Sequence, residues 1–253
     1  MRILRPLFFF FFSFAQFTLA QNANQIKIHS HNDYKQSTPF WLAYENGLHS
    51  IEIDLFLKNE FLYVTHDKKE IIEEHTIESL YLNPLKSVIT KQQGLNQKLQ
   101  LLIDLKSEST ITLNKLIKIL NQYPQIINHE NVSIVISGNR PDPADYIKYP
   151  DFILFDYQSL QPLKNEETWS KIALISLNFK TISNWKGKGK MTEKDYYKVD
   201  SVIKKAHYYD KPFRFWATPD TEVAWKTFVQ LGVDFINTDD PVRASTYLSK
   251  KAN

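Results

Sequence analysis

The chain has no cysteine, six scattered glycines and almost no excess of charge of either sign. Without cysteine, both disulfides and lipoprotein attachment through a cysteine are excluded, so the core alone must hold the fold together. Six scattered glycines supply no glycine-rich phosphate loop. The formal charge of +3 becomes +1 once residues 1–20 are set aside, because that segment carries Arg2, Arg5 and no acid. A balance this even argues against nucleic-acid binding through bulk charge. Internal repeats, linkers and low-complexity stretches are missing beyond the first twenty residues.

What is present begins with a leader. Met1 to Arg5 is a basic start, Leu7 to Phe17 is an apolar block, and Thr18-Leu19-Ala20 ends in small residues. This is the three-part layout of a secretory signal, and the apolar block is short for a membrane span. The expectation is a signal peptide over 1–20, cleaved near Ala20, and an exported protein, periplasmic or secreted. An uncleaved anchor is the alternative. Residues 21–253, with ordinary apolar and charged content for a globular chain, are expected to form one domain with an ample core.

The stretch that organises the domain is Ser50-Ile51-Glu52-Ile53-Asp54-Leu55. Read as a strand, it sends Ile51, Ile53 and Leu55 one way and Glu52 and Asp54 the other. Two enclosed carboxylates repel and lose hydration, and a divalent cation is the usual compensation. Upstream, His31-Asn32-Asp33 ends another apolar run; downstream come His66-Asp67, then Leu101 to Leu105 ending at Asp104 and Lys106. Further strands are expected at 26–30, 132–136, 152–155, 172–177, 213–217 and 234–237. Helices are expected at 39–46, around 77–81, at 109–122, 192–209 and 221–231. Setting aside the return segment Phe61–Val64, eight strands mostly separated by helices predict a (β/α)8 TIM barrel, with charged residues just past the strand ends where such barrels keep their chemistry.

These motifs, in order, resemble the glycerophosphodiester phosphodiesterase and phosphatidylinositol-specific phospholipase C superfamily. The pattern is His31, Glu52-Ile53-Asp54, His66-Asp67 and Asp104-Leu105-Lys106, followed late in the chain by Phe215-Trp216-Ala217-Thr218 and Gly232 to Pro241. The likeness runs from residue 26 to 241. Two departures stand out. Glycerophosphodiesterases usually carry His-Arg-Gly first, whereas Ser30-His31-Asn32-Asp33-Tyr34 looks more like the phosphoinositide phospholipases, in which the Asn is a metal ligand. Asp104 stands where glycerophosphodiesterases usually have Glu, as in sphingomyelinase-D-type enzymes. The same wording also resembles proteins of the altered-inheritance-of-mitochondria type within the superfamily.

The resemblance implies a metal-dependent phosphodiesterase acting on a glycerol-type or lipid-head-group phosphodiester. Glu52, Asp54 and Asp104 would hold one divalent cation, Mg²⁺ or Ca²⁺, with Asn32 as a neutral fourth ligand. His31 and His66 would move protons on opposite sides of phosphorus, and Lys106 would meet the phosphate. Trp216 would stack on a substrate group. Hydrolysis and transfer to a cyclic phosphate both stay open, as does a non-catalytic barrel that only binds phosphorylated ligands. His29-x-His31 also suits amidohydrolase metal ligands, but that arrangement needs further histidines late in the chain, and after residue 130 only His207 remains. His49, His75, His129 and His207 read as surface or packing residues. Lys186-Gly187-Lys188-Gly189-Lys190 reads either as a basic lid that meets a phosphate or membrane surface or as a plain solvated loop. The expected partners are thus a small-molecule or lipid phosphodiester and transient membrane contact, with no nucleic acid, for a monomeric chain.

Overall fold

The computed structural model describes residues 26–91 and 95–250, so the segment expected as a signal peptide lies outside the described residues. Its strands are β1 (Lys27–Ser30), β2 (Ser50–Lys58), β3 (Phe61–Val64), β4 (Leu99–Leu105), β5 (Val132–Gly138), β6 (Ile153–Tyr157), β7 (Ile172–Asn178), β8 (Phe213–Trp216) and β9 (Phe235–Thr238). Eight of them pair in parallel in the order β1-β9-β8-β7-β6-β5-β4-β2, and β1 pairs with β2 to close the ring. The return segment β3 folds back antiparallel on β2, outside the ring. This is the (β/α)8 barrel expected from the pattern.

The helices are α1 (Trp41–Glu45), α2 (Asn83–Thr90), α3 (Ser109–Leu120), α4 (Pro124–Ile127), α5 (Glu166–Ser170), α6 (Phe179–Ile182), α7 (Glu193–Tyr208), α8 (Glu222–Gln230) and α9 (Pro241–Ser249). Those read from periodicity start at side-chain caps. Glu108 accepts from the backbone of Thr110 and Ile111, Thr192 caps α7 and Thr221 caps α8, each satisfying amides that the first turn leaves free. The excursion over 67–98 is more ordered than its polar sequence suggests. A wide helical turn at Glu78–Leu82 runs straight into α2, and Tyr81, Leu82, Leu85 and Val88 are buried. Asn83-Pro84 reads as a breaker, yet Pro84 sits in the first turn of α2, where no backbone donor is needed. β8 stops one residue short of the expected Ala217, whose φ of 53° turns the backbone left-handed.

Register sorts the barrel interior into layers. Leu102, Val135, Leu174 and Phe235 form an apolar plug, with Leu154 packed against it. Two residues further along the same strand faces, Leu102 gives way to Asp104, Val135 to Ser137, Leu154 to Asp156 and Leu174 to Ser176. Because β4 pairs in register with β2 and β5, Asp54, Asp104 and Ser137 stand side by side at the carboxyl end. An apolar layer therefore lies directly below the polar carboxyl end.

The loop after β1 is tied to this end by a buried carboxylate. Asp33 accepts from Ser30 Oγ (2.8 Å), the Phe40 amide (2.7 Å) and Tyr81 Oη (3.1 Å). Burial raises its pKa against these three donors, and the Tyr81 contact links the 67–98 excursion to the turn carrying His31 and Asn32. Asp33→Ala leaves three buried donors unpaired and is expected to cost about 2–4 kcal/mol, whereas Tyr81→Phe costs about 1 kcal/mol. Urea melts of the two variants check this, and equal losses would show that Asp33 does not anchor the loop.

Candidate active site

The end of β2 delivers the acids. Glu52 and Asp54 alternate with buried Ile51, Ile53 and Leu55, so both carboxylates face the lumen, where both are buried. Asp104 joins them from β4. Among the described residues, Glu52, Asp54 and Asp104 each offer an oxygen within 4.8 Å of the others. Structural partners hold one oxygen of each. Glu52 Oε2 accepts from His29 Nε2 (2.8 Å) and Arg214 Nη1 (3.0 Å). Asp54 Oδ2 accepts from His66 Nδ1 (2.6 Å) and Tyr34 Oη (2.9 Å). Asp104 Oδ1 lies 3.1 Å from Lys106 Nζ.

The remaining Asp54 oxygen, Oδ1, is buried without a hydrogen bond; the Lys106 ammonium stands 3.4 Å away. An orphaned buried carboxylate oxygen beside two further carboxylates fits a hard cation. Space supports the same reading. Gly138 has φ +67°, and a Cβ there would come within 2.0 Å of Asp104 Oδ1, so only glycine leaves that carboxylate its place. Asn32, also left-handed at φ 48°, lines the cleft with its Oδ1 3.1 Å from Tyr34 Oη.

The two imidazoles are held alike. His31 Nδ1 donates to Asp239 Oδ1 (2.6 Å), and His31 Nε2 lies 3.7 Å from Glu52 Oε1. His66 Nδ1 donates to Asp54 Oδ2, and its side chain is 58% exposed at the mouth. In both rings a carboxylate fixes Nδ1 and leaves Nε2 for other work. The cleft between them has a volume of about 460 Å³. Its opposite wall comes from other strands: Ser137 on β5 and Asn139 after it, Gln158 after β6, and Arg214 and Trp216 on β8, the Trp216 indole Nε1 being buried without a partner. The structure therefore brings His31, Asn32, Glu52, His66, Asp104, Lys106 and Trp216 to one cleft, with Asp54 beneath it.

Charge is heavily redistributed here. Burial alone would raise Glu52, but the His29 hydrogen bond and the Arg214 charge outweigh it and hold Glu52 far below the usual carboxylate range. Burial, opposed by Lys106 but reinforced by Glu52 and Asp54, pushes Asp104 up to about 6. Burial works against the charge on His31, yet its bond to Asp239 and the proximity of Glu52 raise its pKa above the ordinary histidine value. Burial and the Asp104 and Asp54 charges act oppositely on Lys106, and the charges prevail, raising it.

Sequence reasoning missed Arg214, Asp239 as the partner of His31, and Tyr34. Arg214 had a signal: in Phe213-Arg214-Phe215-Trp216 it alternates with buried phenylalanines and shares the face of Trp216. His29 is a fully buried neighbour of Glu52; burial and Arg214 lower its pKa to about 4. His49, His75, His129 and His207 do not line the cleft.

Two family models match the chain: the AIM6-like phosphodiesterase domain over residues 17–99 and the glycerophosphoryl diester phosphodiesterase family over 212–242. Among relatives, the chain is 27% identical to an altered inheritance of mitochondria protein 6 homolog of Arthroderma benhamiae, covering 88% of this chain and 83% of that one. Identity is 25% with altered inheritance of mitochondria protein 6 of Kluyveromyces lactis, over 84% and 70%. The same barrel fold recurs in solved structures. A glycerophosphodiester phosphodiesterase from Parabacteroides distasonis superposes with TM-score 0.58 at 17% identity, over 90% of this chain and 98% of that one. A phosphodiesterase from Oleispira antarctica, in complex with the product sn-glycerol-3-phosphate, superposes with TM-score 0.53 at 14% identity, over 89% and 96%.

Because a cation must displace the proton that Asp104 holds below pH 6, cation affinity is expected to fall about tenfold per pH unit there and to level off above pH 7. Calorimetric Mg²⁺ titrations from pH 5 to 8 check this, and an affinity flat across that range would remove Asp104 from the ligand set.

Proposed function

We propose that the chain is a metal-dependent phosphodiesterase cleaving a glycerol-type or lipid-head-group phosphodiester. The observation that carries the reading is a pair of imidazoles, each fixed at Nδ1 by a carboxylate, on a cleft lined by Glu52 and Asp104 with Asp54 buried beneath. Glu52, Asp54 and Asp104 would hold a divalent cation, Mg²⁺ or Ca²⁺, with the Asn32 amide oxygen beside them. When bound, it neutralises a non-bridging phosphate oxygen.

The chain's own residues do the rest. Lys106 brings a second positive charge to the phosphate. His31 and His66 transfer protons at Nε2, one from the attacking hydroxyl and one to the leaving oxygen, and each such transfer contributes roughly 10²–10⁴ in rate. Asp239 and Asp54 keep the two rings in the tautomer that exposes Nε2. Trp216, Ser137, Asn139 and Gln158 offer the alcohol an aromatic face and neutral hydrogen-bonding groups. A bind-only barrel has no need of two proton carriers so oriented, which favours turnover over that reading.

The test is release of alcohol from bis(p-nitrophenyl) phosphate and glycerophosphocholine with Mg²⁺, with Ca²⁺ and with chelator. Metal-dependent release is expected, and His31→Ala and His66→Ala should each lower kcat by about 10²-fold or more while melting like wild type. Wild-type turnover in either variant would sink the assignment.

We extend the proposal to the partner surface. Residues 180–198 carry six lysines against two acids, and Lys186, Lys188 and Lys190 are exposed on the loop between α6 and α7. The loop backbone is tied to the carboxyl face by Thr221 Oγ1, which donates to the Gly187 carbonyl (2.8 Å), and closed on itself by Trp185 Nε1, which donates to that of Lys188 (3.1 Å). The exposed ammonium groups gathered there suit an anionic lipid surface. Vesicles of phosphatidylcholine with about 30% phosphatidylserine are expected to bind the triple variant Lys186→Glu/Lys188→Glu/Lys190→Glu at least roughly tenfold more weakly than wild type. Equal binding of the two proteins, or equal binding to neutral vesicles, would contradict it.

A further inference from the structure

Arg214 is the one strongly basic side chain buried inside the barrel among the described residues, being only 2% exposed. Its Nη1 donates to Glu52 Oε2 and to Asn237 Oδ1, both at 3.0 Å, and stands 2.6 Å from His29 Nε2. Its Nη2 lies 3.5 Å from Asp156 Oδ2, which also accepts from Ser137 and Ser176. A second chain of bonds arrives from the other side. Gln100 Nε2 donates to Ser50 Oγ, Ser50 faces His29 Nδ1 at 2.7 Å, and His29 Nε2 faces Glu52. With Ser50 Oγ donating to His29 Nδ1, the neutral ring donates its one N–H, at Nε2, to Glu52.

Glu52 Oε2 is thereby taken by two donors, and only Oε1 is turned toward the cleft side, where His31 approaches it. A carboxylate held in this way serves a cation through one oxygen. The strand carboxylates Glu52, Asp54, Asp104 and Asp156 face two fixed cations, Arg214 and Lys106. One divalent ion brings that set to neutrality. Removing Arg214 would leave the site more negative and Glu52 Oε2 held by His29 alone.

We propose that Arg214 is a positioning residue that claims one oxygen of Glu52 and so limits how tightly the carboxylate cluster holds its divalent cation. This rests on the cation reading of Glu52, Asp54 and Asp104. A guanidinium whose role is only structural would, when lost, disorder Glu52 and loosen the cation. The proposal demands the opposite sign.

The experiment is calorimetric titration of Mg²⁺ and Ca²⁺ into the full chain and its variants, with melting curves to verify folding. Arg214→Gln keeps an amide donor for Glu52 but removes the charge, and it should bind the cation at least about fivefold more tightly than wild type. Arg214→Lys keeps the charge and should stay within about twofold of wild type. Asp156→Asn is nearly isosteric and does not touch the cluster. It frees Arg214 to act more fully on Glu52 and should weaken cation binding by about threefold or more. This variant decides the matter if Arg214→Gln fails to fold. Looser binding in folded Arg214→Gln, or unchanged or tighter binding in Asp156→Asn, overturns the proposal. A wild-type chain that binds neither ion overturns the cation reading itself, and the proposal with it.

Discussion

Mutual repulsion of carboxylates at the carboxyl end of the barrel is the constraint on which the rest of this structure depends. Glu52, Asp54 and Asp104 come together because β2 and β4 pair in register, and register cannot be changed locally without turning every side chain to the other face. Once the strands are set, the charge is set. Everything nearby then reads as a response to it. Lys106 stands between Asp54 and Asp104, Arg214 and His29 converge on Glu52, and Tyr34 and His66 on Asp54. None of these partners occupies all the oxygens, and the uncompensated remainder is concentrated where the cleft begins. A stable barrel alone would not keep such a remainder, because apolar side chains fill the same layer at lower cost, as the plug of Leu102, Val135, Leu174 and Phe235 does two residues below.

The two histidines illustrate how the same carboxylates serve twice. Asp54 accepts from His66 and contributes to the cluster, so the acid that fixes the tautomer of His66 also belongs to the carboxylate set proposed to hold a cation. His31 is handled differently: Asp239, at the far end of the chain, holds its Nδ1, while Glu52 lies beyond its Nε2. Barrel closure through the β1–β9 and β1–β2 pairs is what makes a contact between residues 31 and 239 ordinary. Protonation of one centre is therefore felt at the others, and single side chains here act as parts of one electrostatic unit.

Much of this was legible in the sequence, for physical reasons that differ by residue. Glu52 and Asp54 declared themselves because strand alternation and carboxylate repulsion are both local. His31, His66, Asp104 and Lys106 followed from their positions at the ends of apolar runs. The helices α3, α7 and α8 were readable because a capping side chain coincides with an apolar stripe. By contrast, α2 was hidden by Asn83-Pro84, since a proline that opens a helix and one that breaks it look alike until the next turn is seen. Arg214 and Asp239 were visible as residues but not as partners, because their meaning depends on which strand neighbours which after closure. His29 was weighed as a metal ligand; instead it lies beneath the cluster, paired with Ser50 and Glu52, a depth that its spacing from His31 does not encode.

The division of the cleft between strands bears on substrate and mechanism separately. The acids, imidazoles and Lys106 come from β1, β2 and β4 and the loops that follow β1, β3 and β4, where backbone pairing fixes them rigidly. The opposing wall comes from the ends of β5, β6 and β8, and there the polar groups other than the ion-paired Arg214 are neutral: Ser137, Asn139, Gln158 and Trp216. On the proposed function, exchanging Gln158 or Asn139 would alter which alcohol is held without changing the charge around Glu52, whereas no change at Glu52 or Asp54 could leave the proposed chemistry alone. Arg214 and Asp156 are the exception, since they join the two halves beneath the cleft floor. Through that pair, the polarity of the opposing strands reaches the carboxylate cluster, so that, on the function proposed above, the side of the barrel that would select a substrate would also tune the side that would cleave it.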